Sequence, residues 1–86
     1  METRAITPEG GGFEAAQKAA VHEAEKDGGD PMLIAWHDNE SGRSSPEVEA
    51  CGCTTLAGWE VYAGSRGADL RVEVDGGKYV FIFLHI

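Results

Sequence analysis

Positive charge is scarce in this chain. Seven Lys and Arg stand against fifteen Asp and Glu, a net charge of −8. Nucleic-acid affinity rests largely on basic side chains that neutralise phosphates. Here Arg4, Lys18, Lys26, Arg43, Arg66, Arg71 and Lys78 are scattered along the sequence and form no cluster. Binding to nucleic acid or to an anionic membrane is not expected, while a cationic or metal partner is permitted. Long apolar runs are also lacking. The longest, Tyr79–Leu84, is far too short to span a bilayer. The opening Met1-Glu2-Thr3-Arg4 has no apolar stretch of the kind a signal peptide needs. These two features predict a cytosolic protein, in a compartment where thiols stay reduced. Cysteine is scarce too: the two in the chain read, in that compartment, as thiols or metal ligands before they read as a structural disulfide.

The 86 residues suffice for a single domain over 1–86. A chain this short buries a limited core, so a metal, a disulfide or a partner chain would add useful stability.

Hydrophobic spacing sets the expected elements. Ile6 suits a short leading strand. Thr7-Pro8 is a helix-start signal, an oxygen cap followed by a proline, but the glycines at 10–12 weaken that turn. The helix is expected to be firm from Phe13. Phe13, Ala16, Ala20, Val21 and Ala24 form one apolar stripe at helical spacing, and Gly28-Gly29 ends it. Because the stripe is rich in alanine, the helix can approach a sheet closely.

Met32–His37 reads as a strand, with Met32, Ile34 and Trp36 on one face and Leu33, Ala35 and His37 on the other. Asn39-Glu40-Ser41-Gly42 suits a type I turn closed by a left-handed glycine, which makes a bulged hairpin. The return segment from Ser44 to Ala50 reads either as an edge strand that tolerates Pro46 on its unpaired side or as a short helix capped by Ser45 with Pro46 in its first position; the hairpin-like turn before it favours the strand. Trp59-Glu60-Val61-Tyr62-Ala63 is expected to be a strand, followed by a turn over residues 64–68. Trp36 and Trp59 are expected in the core. Leu70, Val72 and Val74 alternate with polar residues, and Gly76-Gly77 is a two-residue hairpin loop. That loop places Val74 opposite Tyr79, Val72 opposite Phe81 and Leu70 opposite Phe83. The other face of the last strand carries Val80, Ile82, Leu84 and Ile86. A strand that is apolar on both faces is central in its sheet, or its second face meets another layer or another chain. The expected fold is α+β: one main helix on a mostly antiparallel sheet of four or five strands, a two-layer sandwich.

Chemistry has one foothold, Cys51-Gly52-Cys53. Glycine between the sulfurs allows both to face one ion, or to close a strained and reducible small-ring disulfide. Zinc sites usually present Cys-x2-Cys pairs and a second pair of ligands. A site here would be completed by His37, Asp38 or His85, so Cys51, Cys53, His37 and Asp38 are the metal-ligand candidates, for zinc or another thiophilic ion. The alternative is that Cys51 packs as a small apolar residue beside a turn made by Gly52. His37-Asp38 at a strand end is also suited to acid–base work, whereas Asp38 is equally well placed to accept the N–H groups of the following turn. His22 and His85 are expected at the surface or an interface. No Gly-x-Ser-x-Gly elbow is present, so the hydroxyls of Ser44, Ser45, Thr54 and Thr55 do not point to a hydrolase nucleophile. Gly10-Gly11-Gly12 lacks the Gly-Lys-Ser/Thr of a phosphate loop, and Glu14 would put a negative charge at the anion site.

At Trp36-His37-Asp38, Ser45-Pro46-Glu47, Cys51 and Gly58-Trp59-Glu60-Val61-Tyr62 the chain resembles a small family of uncharacterised prokaryotic domains. Members share a Trp-x-Asp, a Ser-Pro-Glu, a cysteine and a Gly-Trp-Glu-Val-Tyr in this order. The resemblance covers roughly residues 13–84. No activity is assigned to that family, so no catalytic residue carries over. It implies that any shared function lies between Trp36 and Tyr62. Two functions stand at this point. One is a non-enzymatic protein-interaction module, a homodimer through the C-terminal strand; the other is a thiol-redox or metal-binding domain built on Cys51 and Cys53.

Overall fold

A strand that buries both its faces organises the fold. The computed structural model describes residues 2–8, 12–45 and 58–85. In chain order the elements are β1 (Glu2–Ile6), α1 (Phe13–Glu25), β2 (Pro31–Asp38), β3 (Arg43–Ser45), α2 (Gly58–Ser65), β4 (Leu70–Val74) and β5 (Tyr79–His85). The five strands form one sheet in the order β1-β4-β5-β2-β3. Every pairing is antiparallel except β1 with β4. β5 is the central strand, as its two-sided apolar pattern requires, and Tyr79 through Phe83 are all buried.

The β4–β5 hairpin has the register that its glycine loop implies: Val74 opposite Tyr79, Val72 opposite Phe81, Leu70 opposite Phe83. Asp75, Gly76 and Gly77 all take positive φ, 53°, 70° and 95°. Two successive glycines make that left-handed path inexpensive.

On the first face of the sheet, α1 buries Ala16, Ala20 and Ala24 against Leu70, Val72, Val74, Tyr79, Phe81 and Phe83. Alanine at every fourth position removes side-chain bulk from the contact, so the larger strand residues fill the space between the layers. Burying each large apolar side chain there contributes about 1.5–3 kcal/mol. The helix starts at Phe13 with Gly12 in the N-cap position, so Thr7 does not cap it. Its last turn tightens through bonds from Lys26 N to Glu23 O and from Asp27 N to Ala24 O, and Gly28 (φ 81°) ends it.

Two expectations are corrected. The segment Trp59–Ala63, expected as a strand, belongs to helix α2. Its Trp, Val and Tyr favour strands locally, but tertiary context overrides a propensity of that size. The helix ending is specific. Gly67 takes φ 79°, its N–H bonds Gly64 O, and the Ala68 N–H bonds Ala63 O. This is the Schellman pattern. The apolar contact that accompanies it is made as well, since Ala63 and Ala68 belong to one cluster. The turn expected over residues 64–68 is therefore a helix C-terminus. With Ala63 fully buried against Ala35, Val80 and Ile82, α2 covers the second face of β5 with the chain's own residues, a partial third layer beyond the two expected.

The second correction concerns β2. Its pairing with β5 shifts register between Leu33 and Ala35, so the simple alternation of faces fails. Leu33 and Trp36 pack on the α1 side, while Ile34 and Ala35 join the cluster beneath α2. A bulge of this kind inserts one unpaired residue and turns every later side chain to the opposite face.

Of the expected edge strand from Ser44 to Ala50, Ser44 and Ser45 lie in β3; residues 46–50 lie outside the described residues, as do Cys51, Cys53, Thr54 and Thr55. The core placement expected for the Trp59 side chain lies outside them as well. Trp36 is half-buried rather than fully buried, with its ring 4.6 Å from that of Phe13. Among the described residues no helix is long and apolar enough to cross a membrane.

Candidate functional site

His37 and Asp38 end β2, where the 39–42 turn meets the 75–78 turn. Asp38 is committed to its own turn. Its Oδ1 accepts from the N–H groups of Glu40 (2.9 Å) and Ser41 (3.3 Å), and its Oδ2 accepts from Ser41 Oγ (2.9 Å). Partial desolvation pushes the Asp38 carboxyl up, but these three donors outweigh it and hold the group below the usual aspartate value. Gly42, at φ 75°, closes the turn by donating its N–H to Asp38 O at 2.8 Å. The aspartate therefore builds the hairpin, the structural role its position suits.

His37 takes the other direction. In the β2–β5 register it lies opposite Val80, whereas Asp38 lies opposite Tyr79 and Trp36 opposite Phe81. Adjacent strand residues face opposite sides, so His37 and Asp38 diverge. His37 Nε2 is 2.8 Å from Asn39 Oδ1. Asn39 Nδ2 in turn donates to Gly77 O at 2.5 Å, and Asn39 N donates to Lys78 O at 2.9 Å. Asn39 thus ties the two turns together, and its side-chain oxygen is placed to accept from the Nε2 side of the His37 ring. A further bond crosses the same end of the sheet, from the Tyr79 hydroxyl to Glu40 Oε2 at 2.9 Å. Lys78 Nζ stands 3.2 Å from the same carboxylate oxygen. Donation to Glu40 raises the Tyr79 phenol above its ordinary value, and the Tyr79 and Lys78 bonds hold Glu40 below its own.

Below this turn an open groove of about 600 Å³ is lined by Phe13, Trp36, Asp38, Ser41 and Arg43. Its floor is the Phe13–Trp36 pair. Its acid, Asp38, already accepts three bonds, and its base is an arginine, which stays protonated. Among the described residues, no acid–base pair converges in the groove.

Among the described residues, no group of three or more His, Cys, Asp or Glu is arranged to hold a metal ion. Of the four metal-ligand candidates, His37 and Asp38 are separated by the sheet, and Cys51 and Cys53 lie outside the described residues.

Two features went unseen in the sequence. The first is at the far end of the sheet, where His85 is enclosed by polar partners. Its Nδ1 is 2.8 Å from Asp69 Oδ1, its Nε2 is 2.9 Å from Ala24 O, and its backbone N–H donates to Asp69 Oδ2 at 3.1 Å. Its charged partner lies 16 residues away, and its other partner is a backbone carbonyl 61 residues away, which no side-chain pattern marks. The second is an apolar pair. Met32 lies opposite Leu84 on the face that α2 covers further along, and Met32 is 43% exposed while Leu84 is half-buried.

Three comparisons extend this picture. A family profile described as "Domain of unknown function (DUF5619)" matches residues 2–83. An uncharacterised protein of Archaeoglobus fulgidus is 40% identical over 69 residues, which cover 80% of this chain and 71% of that protein. The crystal structure of a novel protein from Archaeoglobus fulgidus superposes with a TM-score of 0.81 at 33% identity, over 100% of this chain and 95% of that one.

Proposed function

The chain belongs to the family described as a domain of unknown function, DUF5619, and on that premise we propose that it is a cytosolic, non-enzymatic protein-interaction module that forms a homodimer through the C-terminal strand. The observation that carries this reading is the Met32–Leu84 pair. The second face of β5 is sealed at Val80 and Ile82 by α2, but the same apolar row continues past the helix to Leu84 and across to the exposed Met32. Dimers of this kind form about a twofold axis that places one patch against its own copy. A row of large apolar side chains that runs out from beneath a helix suits that arrangement.

The test is light scattering coupled to size-exclusion chromatography over a wide range of protein concentrations. The wild-type chain is expected to show a dimer mass that dissociates on dilution. Met32→Glu is expected to run as a monomer throughout with an unchanged circular dichroism spectrum, because the twofold would bring two carboxylates together. A wild-type monomer at the highest concentrations would overturn the reading.

A further inference from the structure

The corner built around His85 carries an inference independent of the dimer. A neutral imidazole has one donor nitrogen and one acceptor nitrogen. Here both nitrogens face oxygens that accept: the carboxylate of Asp69 at 2.8 Å and the carbonyl of Ala24 at 2.9 Å. In the neutral form one of those contacts would set lone pair against lone pair. Only the imidazolium satisfies both. The partners come from different parts of the chain. Ala24 is in the last turn of α1, Asp69 immediately precedes β4, and His85 is the end of β5.

We propose that protonated His85 is a latch that locks the C-terminal turn of α1 and the start of β4 onto the end of β5, and that its deprotonation loosens this corner of the fold. The charged surroundings agree. From α1, Asp27 Oδ2 lies 4.0 Å from His85 Nε2. Arg4 of β1 holds Asp27 at 2.6 Å, pairs with Glu23 at 3.3 Å and also bonds Glu2, so this cation is already neutralised by three acids. Lys26 pairs with Glu23 at 3.3 Å. From β2 the residue opposite His85 is Pro31, which carries no charge. The nearest acidic groups therefore outnumber the bases that face the ring. The Ala24 carbonyl and the Asp69 carboxylate raise the imidazole above its ordinary value against a smaller desolvation effect. On the other side, desolvation pushes Asp69 up, but the His85 ring and backbone donors outweigh it and hold the carboxyl below its ordinary value.

The sign follows from linkage. A raised folded pKa means that the latch is fully engaged below the unlatched value of about 6.5 and is lost as pH rises through the folded value. Between those two values the opening equilibrium should rise by up to about tenfold per pH unit.

The experiment is an NMR titration of the full-length chain with amide hydrogen exchange at each pH, corrected for the intrinsic exchange rate. The His85 ring resonance, assigned with His85→Gln, is expected to titrate above about 6.5. Exchange at residues 24–28, 69 and 83–85 is expected to accelerate across the same interval, while the β4–β5 hairpin at 72–74 and 79–81 stays protected. Asp69→Asn keeps the histidine and removes its anion; its ring should titrate lower and the pH dependence of exchange should shrink. A wild-type ring that titrates at or below the ordinary value, or exchange at this corner that ignores the titration, would overturn the proposal. Both readouts use the wild-type chain, so a variant that fails to fold does not shield it.

Discussion

Truncating Ile82 to alanine measures how the second face of the sheet is covered. Ile82 is 1% exposed and packs with Ala35, Ala63 and Val80, residues of β2, α2 and β5. The substitution deletes three carbons, about 2.4 kcal/mol of transfer free energy at ~0.8 kcal/mol per methylene. A cavity cost adds to this. Two of the neighbours are alanines, whose positions are set by backbone, so neither has a side chain able to swing into the space. The expected loss is therefore about 3–4 kcal/mol, within the range seen for buried isoleucine truncation. A chain of 86 residues has an unfolding entropy near its midpoint of about 0.18 kcal/mol/K, so the fall in Tm should be roughly 17–22 °C. Thermal unfolding followed by circular dichroism, at two protein concentrations tenfold or more apart, makes the measurement. The difference between wild type and variant should be the same at both concentrations, because the cover comes from the same chain. A fall of only a few degrees would mean that Ile82 is not sealed by α2. A difference that changes with concentration would mean that a second copy, rather than α2, covers this face.

Two further outcomes are expected. Asp38→Asn keeps the shape of the hairpin but removes the charge that three donors hold, so the variant should be less stable than wild type above pH ~4 and should converge on it as acid protonates the aspartate. Urea unfolding at several pH values checks this, and a gap that persists at low pH would contradict it. Native and denaturing mass spectrometry of chain purified without chelator should return the reduced, metal-free mass, with Cys51 and Cys53 as thiols. A bound ion, or the loss of two hydrogens, would instead make Cys51-Gly52-Cys53 the site and revive the thiol or metal reading.

Local periodicity was enough for much of the fold. The Phe13–Glu25 helix, the β2 strand, the register of the β4–β5 hairpin and the central place of β5 all follow from short-range information: an apolar repeat, a glycine pair that fixes a loop, a strand with no polar face. The turn role of Asp38 was legible for the same reason, since its partners are two and three residues away. The segment Trp59–Ala63 misled because its side chains favour strands, and the decisive signal was Gly67, a helix stop that reads equally well as a turn.

What the sequence by itself determined is the set of locally coded elements and the apolar row on each side of β5. What only the tertiary structure decided is what those rows meet. α2 lies over Val80 and Ile82, a bulge divides the side chains of β2 between two faces, and His85 closes on Asp69 and on Ala24, far apart in the chain. These contacts depend on which distant segments fold back onto one another. A local pattern fixes that a face must be covered, but it does not specify the residues that cover it.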